Sequence, residues 1–262
     1  MPQKVTIPNK HGKNLVGLLH DTASPQLVVL CHGFRSTKDY KIMVNLAVAL
    51  EKEGISAFRF DFCGNGESEG TFQICNYSDD VDDLRSVVDY FVGLKRSTIA
   101  LLGHSKGGDV VLLYASKYHD IPAVINISGR YDLKRGIEEW FGKDIWERLK
   151  KEGYIDVKTK TGEVEYRVTE ESMTERLNTD MHQACLLIDA NCRSLTVYGS
   201  ADDLVPLEDA TEFAKVLPNH QLKIIQGANH GYTSHQHELV SAVLPFLKEI
   251  STTLSTGQSS ST

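Results

Sequence analysis

The chain has 262 residues, 41% of them hydrophobic and 24% charged, a balance that suits one large domain, or one domain with an insertion, around a sizeable core. Near-average glycine and proline content excludes collagen-like, low-complexity and wholly disordered chains. Lysine and arginine total 28 against 35 aspartate and glutamate, and the formal charge of -7 disfavours the basic surface that nucleic acid or an anionic membrane needs.

Residues 4–20, KVTIPNKHGKNLVGLLH, read as two strands joined by an HGKN turn, an antiparallel start to a sheet. Short apolar runs bounded by turn residues then recur: LVVLC (27–31), ISAFRF (55–60), TIALLG (98–103), AVINIS (123–128), SLTVYG (194–199) and LKIIQG (222–227). Such runs predict strands buried on both faces, the mark of a parallel sheet. Segments of helical period fall between them, over Tyr40 to Glu53, Asp79 to Leu94, Gly107 to Tyr118, Leu207 to Val216 and Glu238 to Ile250. In the second, Val81, Leu84, Val88 and Phe91 share a stripe, with Asp82, Asp83, Arg85 and Asp89 expected to face away. Alternation of strand and helix predicts a three-layer α/β fold.

About 65 residues separate the strand ending at Ser128 from the one beginning near Ser194, far more than a normal connection. An inserted cap over 130–191 is expected, with Leu133 to Lys151 helical, YIDVKTKTGEVEYRV a hairpin and Glu170 to Ile188 two helical pieces. The core is then 1–129 with 192–250, and the Ser/Thr-rich segment 251–262 is expected to be a disordered tail. No apolar run approaches the roughly 18 residues of a membrane span, and the first residues lack the apolar core of a secretory signal. Cys31, Cys63, Cys75, Cys185 and Cys192, an odd number without metal-like spacing, predict free buried thiols. A cytoplasmic location follows as the expectation.

Gly103-His104-Ser105-Lys106-Gly107 is a GxSxG between a predicted strand and a predicted helix. A serine there occupies a sharp, strained turn, small neighbours let strand and helix approach, and the first helical amides point at whatever the hydroxyl attacks. The plain alternative is a glycine-rich turn with an incidental serine; a phosphate loop is the weaker alternative because GxxxxGK[ST] is absent and Lys106 follows the serine rather than preceding it. A serine nucleophile needs a base and an acid later in the chain. His230 follows the last predicted strand and Asp202 the one before it, both at carboxyl ends, where open α/β sheets bind ligands. Asp203 and Asp132 are the rivals for the acid. The HxH of His235 and His237 lacks a third metal ligand at ligand spacing. After LVVLC, His32-Gly33-Phe34-Arg35 puts the Phe34 amide beside that of Lys106, a pair suited to an oxyanion, with the side chains themselves free to vary. The acidic Gly64 to Gly70 loop does not match GxGxxG and is read as a surface loop rather than a dinucleotide site.

DFCGNGESEG (61–70), HGF, GHSKGG, GSADDLVP and GANHGY, in an order that spans nearly the whole chain, resemble the α/β-hydrolase superfamily, and within it the serine hydrolases of the feruloyl-esterase-like and serine-aminopeptidase-like branch. The resemblance implies Ser105 as nucleophile, His230 as base, Asp202 as its orienting acid, the Phe34 and Lys106 amides as oxyanion hole, and a cap inserted after the sixth strand. The expected activity is hydrolysis of a carboxylic ester of a small molecule through an acyl-enzyme, with no cofactor and no metal. Thioester, amide or C–C hydrolysis would use the same triad, and a small-molecule receptor that keeps the fold is the alternative from another class. Trp140, Phe141, Trp146, Tyr154 and Tyr166 are candidate aromatic surface for substrate, or else cap core.

Overall fold

The structure, a computed structural model, describes residues 1–259. β1 (Gln3–Pro8) and β2 (Asn14–His20) form the expected hairpin, its turn held by Asn9 Oδ1, which accepts from the amides of His11 and Lys13 at 2.9 Å each. Then come β3 (Gln26–Cys31), α1 (Lys41–Lys52), β4 (Ser56–Phe60), α2 (Tyr77–Gly93), β5 (Ser97–His104), α3 (Lys106–Tyr118) and β6 (Ala123–Ile127). Between β6 and the next sheet strand lie α4 (Ile137–Phe141), α5 (Ile145–Glu152), β7 (Tyr154–Lys158), β8 (Val164–Thr169), α6 (Glu170–Asn178) and α7 (Met181–Leu187). The chain continues with β9 (Arg193–Gly199), α8 (Leu207–Val216), β10 (His220–Ile225) and α9 (Gln236–Ser259).

The main sheet has the order β1-β2-β4-β3-β5-β6-β9-β10. β2 runs antiparallel to both of its neighbours, β1 and β4, and the other pairs are parallel, so the carboxyl ends of β3, β5, β6, β9 and β10 open on one edge. Side chains alternate across the pleat and build a core on each face. Val28, Leu30, Ala100, Leu102 and Ile125 pack with α1 and α9; Leu27, Val29, Leu101 and Val124 pack with α2, α3 and α8. The chain thus has the α/β-hydrolase fold, a mostly parallel sheet flanked by helices.

Four expectations need correction. β10 starts and ends two residues before the expected LKIIQG run and is largely half-exposed, because it is an edge strand rather than a buried one. Asp83 does not face away: it is buried, accepting from Asn9 Nδ2 and the Cys63 amide at 2.8 Å each, and burial pushes its carboxyl up to about 6. The expected helix over 133–151 is two, split at Gly142, whose φ of +91° suits glycine. The segment expected to be a disordered tail is helical to Ser259, while 260–262 lie outside the described residues. Its hydroxyls bond back within the helix, as Thr252 Oγ1 does to Lys248 O at 2.9 Å, and Gln26 Nε2 donates to Ser251 O at 3.0 Å.

Between β6 and β9, β7 and β8 form the expected antiparallel hairpin as a separate sheet, and Thr169 caps α6 through a capping box with Ser172. α7 returns to the main body: Met181, Ala184 and Cys185 are buried where it packs against α3 and α8.

Candidate active site

Ser105 sits between β5 and α3 with φ 56° and ψ -125°, a conformation that non-glycine residues adopt only when surroundings impose it. The surroundings are close-packed backbone. A Cβ on Gly103 would lie 1.9 Å from Gly107 O, and one on Gly107 would lie 2.4 Å from Cys31 O. The Ser105 amide donates to Ile127 O at 2.8 Å, fixing the turn to β6. The next amide, that of Lys106, is the first of α3 and has no earlier helical turn to bond.

His230 follows β10, and its Nδ1 donates to Asp202 Oδ2 at 2.8 Å. Asp202 Oδ1 accepts from the amides of Leu204 and Val205 at 3.0 and 2.9 Å, which makes the carboxylate the knot of the loop after β9. Burial pushes this carboxyl up, but the hydrogen bond and charge of His230 and the two amides outweigh it and hold it below the usual range. Of the rivals, Asp203 is exposed and Asp132 caps a turn by accepting from the Lys134 amide at 3.0 Å. Ser105 and His230 line one cavity, and among the described residues no hydrogen bond joins their side chains. Catalytic contacts of this kind often tighten only when substrate is bound.

Two residues outside the expected set brace the His230 loop. His104 Nε2 donates to His230 O at 2.9 Å, and burial, followed by the nearby His230, lowers its ring to about 3, so it stays neutral. Tyr232, with φ 50°, is fully buried and donates to Val197 O at 3.1 Å while its oxygen lies 2.8 Å from Ser128 Oγ.

The turn after β3 is held as firmly. His32 Nε2 accepts from the Phe62 amide at 3.1 Å, so Nδ1 carries the proton and donates to Gly33 O at 2.8 Å. Carbonyl and amide of one peptide point oppositely, and tying Gly33 O back aims the Phe34 N–H the other way. Burial lowers His32 to about 4, which keeps that tautomer neutral. Behind it, fully buried Asp61 accepts from the Lys38 amide at 2.6 Å, Lys38 Nζ at 2.7 Å and the Glu67 amide at 3.0 Å. The 64–70 loop, read from sequence as a surface loop, is therefore tied to the turn that carries Phe34; the buried aspartate inside DFCGNGESEG is the signal that shows it. Nor is the Lys106 side chain free to vary: its Nζ lies 2.7 Å from both Asp80 Oδ2 and Asn76 Oδ1.

The cavity has a volume of about 560 Å3, and Arg130, Trp140, Tyr166 and Arg176, from the stretch between β6 and β9, line part of it. Trp140 stacks on Phe34 at 6.4 Å between centroids, and Tyr166 meets Phe34 edge-on at 5.8 Å. Phe141, Trp146 and Tyr154 do not line it; Tyr154 lies under the Arg167 guanidinium at 3.7 Å.

The profile of the serine aminopeptidase S33 family matches residues 22–236. An uncharacterized protein of Saccharomyces cerevisiae is 27% identical over 229 residues, 79% of this chain and 69% of that one. Est1E from Butyrivibrio proteoclasticus, solved with ferulic acid bound, superposes with a TM-score of 0.78 at 24% identity, over 94% of this chain and 98% of that one. A Pyrococcus furiosus esterase superposes with a TM-score of 0.74 at 22% identity, over 95% and 91%. At these identities the solved structures speak to the fold, while the profile covers most of the sequence, elbow and both loops included. The chain belongs to the serine aminopeptidase S33 family of α/β-hydrolases.

Proposed function

We propose that the protein hydrolyses carboxylic esters of small molecules through an acyl-enzyme on Ser105. The observation that carries this reading is the cavity that Ser105, at its strained turn, shares with His230, whose far nitrogen is bonded to Asp202. Ser105 Oγ attacks the acyl carbon while His230 Nε2 takes its proton; the C–O bond to the alcohol breaks and the alcohol leaves with that proton. Water then adds to the acyl carbon, giving its proton to His230, and the acid departs as Ser105 regains its hydrogen. Asp202 holds His230 with the proton on Nδ1, leaving Nε2 as the base. The Phe34 and Lys106 amides receive the charge that develops on the carbonyl oxygen in both steps.

In this reading residues 130–191 act as a cap whose Trp140 and Tyr166 select the substrate, while the core loops supply the chemistry. That the Pyrococcus furiosus neighbour is an esterase and that Est1E was solved with ferulic acid bound support it. Five unpaired cysteines suit a reducing compartment, the cytosol. Among the described residues no helix is long and apolar enough to cross a membrane. Purified protein should cleave members of a panel of 4-nitrophenyl and aryl esters, and Ser105→Ala should lose the activity by several powers of ten. Equal turnover by the two proteins would refute the reading.

A further inference from the structure

Two guanidinium groups meet at the cavity wall. Arg130, just after β6, and Arg176, on α6, have 8% and 7% of their surface exposed, and each sits over the Trp140 ring, at 5.8 and 5.7 Å from its centroid. Both line the cavity that holds Ser105. Their hydrogen-bond acceptors are neutral: Arg130 Nη2 donates to Leu204 O, and Arg176 Nη1 donates to Tyr77 Oη at 3.2 Å. Among the described residues neither guanidinium has a carboxylate within ion-pair distance, although the chain carries 35 acidic residues.

The remaining cavity charges are already matched. Arg35 pairs with Glu165 and Lys106 with Asp80. Asp109, the one acid in the lining, is fully buried and accepts from the Arg130 amide at 2.7 Å rather than from a guanidinium. Burial pushes its carboxyl well up, with the two arginines opposing. Even if it is counted as ionised, one of the two arginine charges stays unbalanced. A guanidinium cannot shed its proton, and burying one without a counter-ion is costly. One uncompensated charge fits a carboxylate better than a phosphate dianion, and the planar fork matches carboxylate geometry.

We propose that the substrate is an ester bearing a free carboxylate, which Arg130 and Arg176 receive against the Trp140 face while Ser105 attacks the ester carbonyl. This rests on the ester-hydrolase reading and adds the substrate class to it. Chemically, a monoester of a dicarboxylic acid, or an acylated hydroxy acid, would be the natural reactant.

The test compares esters matched except for the charge: the monoethyl esters of succinic to suberic acid against ethyl alkanoates of equal length, and 4-acetoxybenzoate against 4-methylphenyl acetate. These place the carboxylate on the acyl and the alcohol side. In the wild-type protein, kcat/KM for the carboxylate member should exceed that of its neutral partner about ten-fold or more in at least one series. Arg176→Gln and Arg130→Gln should lower that ratio about ten-fold, whereas Arg176→Lys should keep part of it. Adipate should slow fluorophosphonate labelling of Ser105 in the wild-type protein, a readout that needs no variant. Neutral esters preferred in every series, with Ser105 labelled and active, would overturn the carboxylate inference alone and leave the arginines as struts for Trp140. An unlabelled Ser105 with no ester cleaved would remove the underlying reading and the inference with it.

Discussion

His104 Nε2 lies 2.9 Å from the carbonyl oxygen of His230, so the residue just before the elbow serine holds the main chain of the loop that carries the candidate base. Their rings lie 4.9 Å apart, and Tyr40 stacks on His104 at 5.6 Å. The bond joins the neighbour of Ser105 to the candidate base itself, 126 positions apart in sequence. His104→Ala should therefore lower kcat about 10- to 100-fold with a smaller change in KM, because a displaced imidazole misses the serine proton. His104→Gln, whose amide still donates to the carbonyl, should recover part of the loss; equal defects in both variants would contradict a positioning role.

The same ring predicts a pH effect on stability. Its folded value of about 3 lies below the ordinary 6.5, so between these the unfolded chain binds a proton that the native protein refuses. The stability contributed by the neutral ring is present above pH about 6.5 and is lost as pH falls toward the folded value. His104→Gln should flatten the dependence of unfolding free energy on pH by about 1.4 kcal/mol per unit between about pH 6 and 4. His32 and Asp83 titrate in both proteins and cancel in the difference. Urea unfolding at several pH values would show it; parallel curves would contradict the buried neutral ring.

Gly107 allows α3 to pass close to the end of β3. The Cβ of alanine there would meet Cys31 O at 2.4 Å and His32 O at 2.5 Å, both backbone atoms that cannot swing aside. Gly107→Ala should cost roughly 2 to 4 kcal/mol and shift the turn of Ser105. Thermal unfolding checks it, and an unchanged Tm would contradict the close approach.

Asp61 and Lys38 form a buried pair below the Phe34 turn, with side chains 0% and 2% exposed. Asp61→Ala leaves Lys38 to Glu67 at 2.7 Å and should cost about 3 kcal/mol. Because the 32–40 turn hangs on that pair, kcat should fall as well. Asp61→Asn, which still accepts the Lys38 amide, should be the milder change in both chemical unfolding and turnover.

Most of the sheet was legible in the sequence because β3, β4, β5, β6 and β9 are buried on both faces and so read as unbroken apolar runs. β10 misled by two residues since an edge strand loses that signal. The placement of Ser105, His230 and Asp202 at one edge was readable because their loops follow strands that end there. Their supports were not. Asp83 looks like an outer helix residue until Asn9, 74 positions away, is brought against it, and the partnership of Lys106 with Asp80 depends on how α2 and α3 pack. The α9 extension escaped because serine and threonine are poor helix formers taken singly, whereas here their hydroxyls bond within the helix.

The reading of Ser105 as nucleophile is tested most directly by reaction with a fluorophosphonate, followed by mass spectrometry of the digested protein. A single phosphonyl adduct is expected on the peptide that contains Ser105, formed in step with the loss of ester turnover and absent from Ser105→Ala. An unmodified Ser105 in active protein, or an adduct on another residue that tracks the loss of activity, would contradict it.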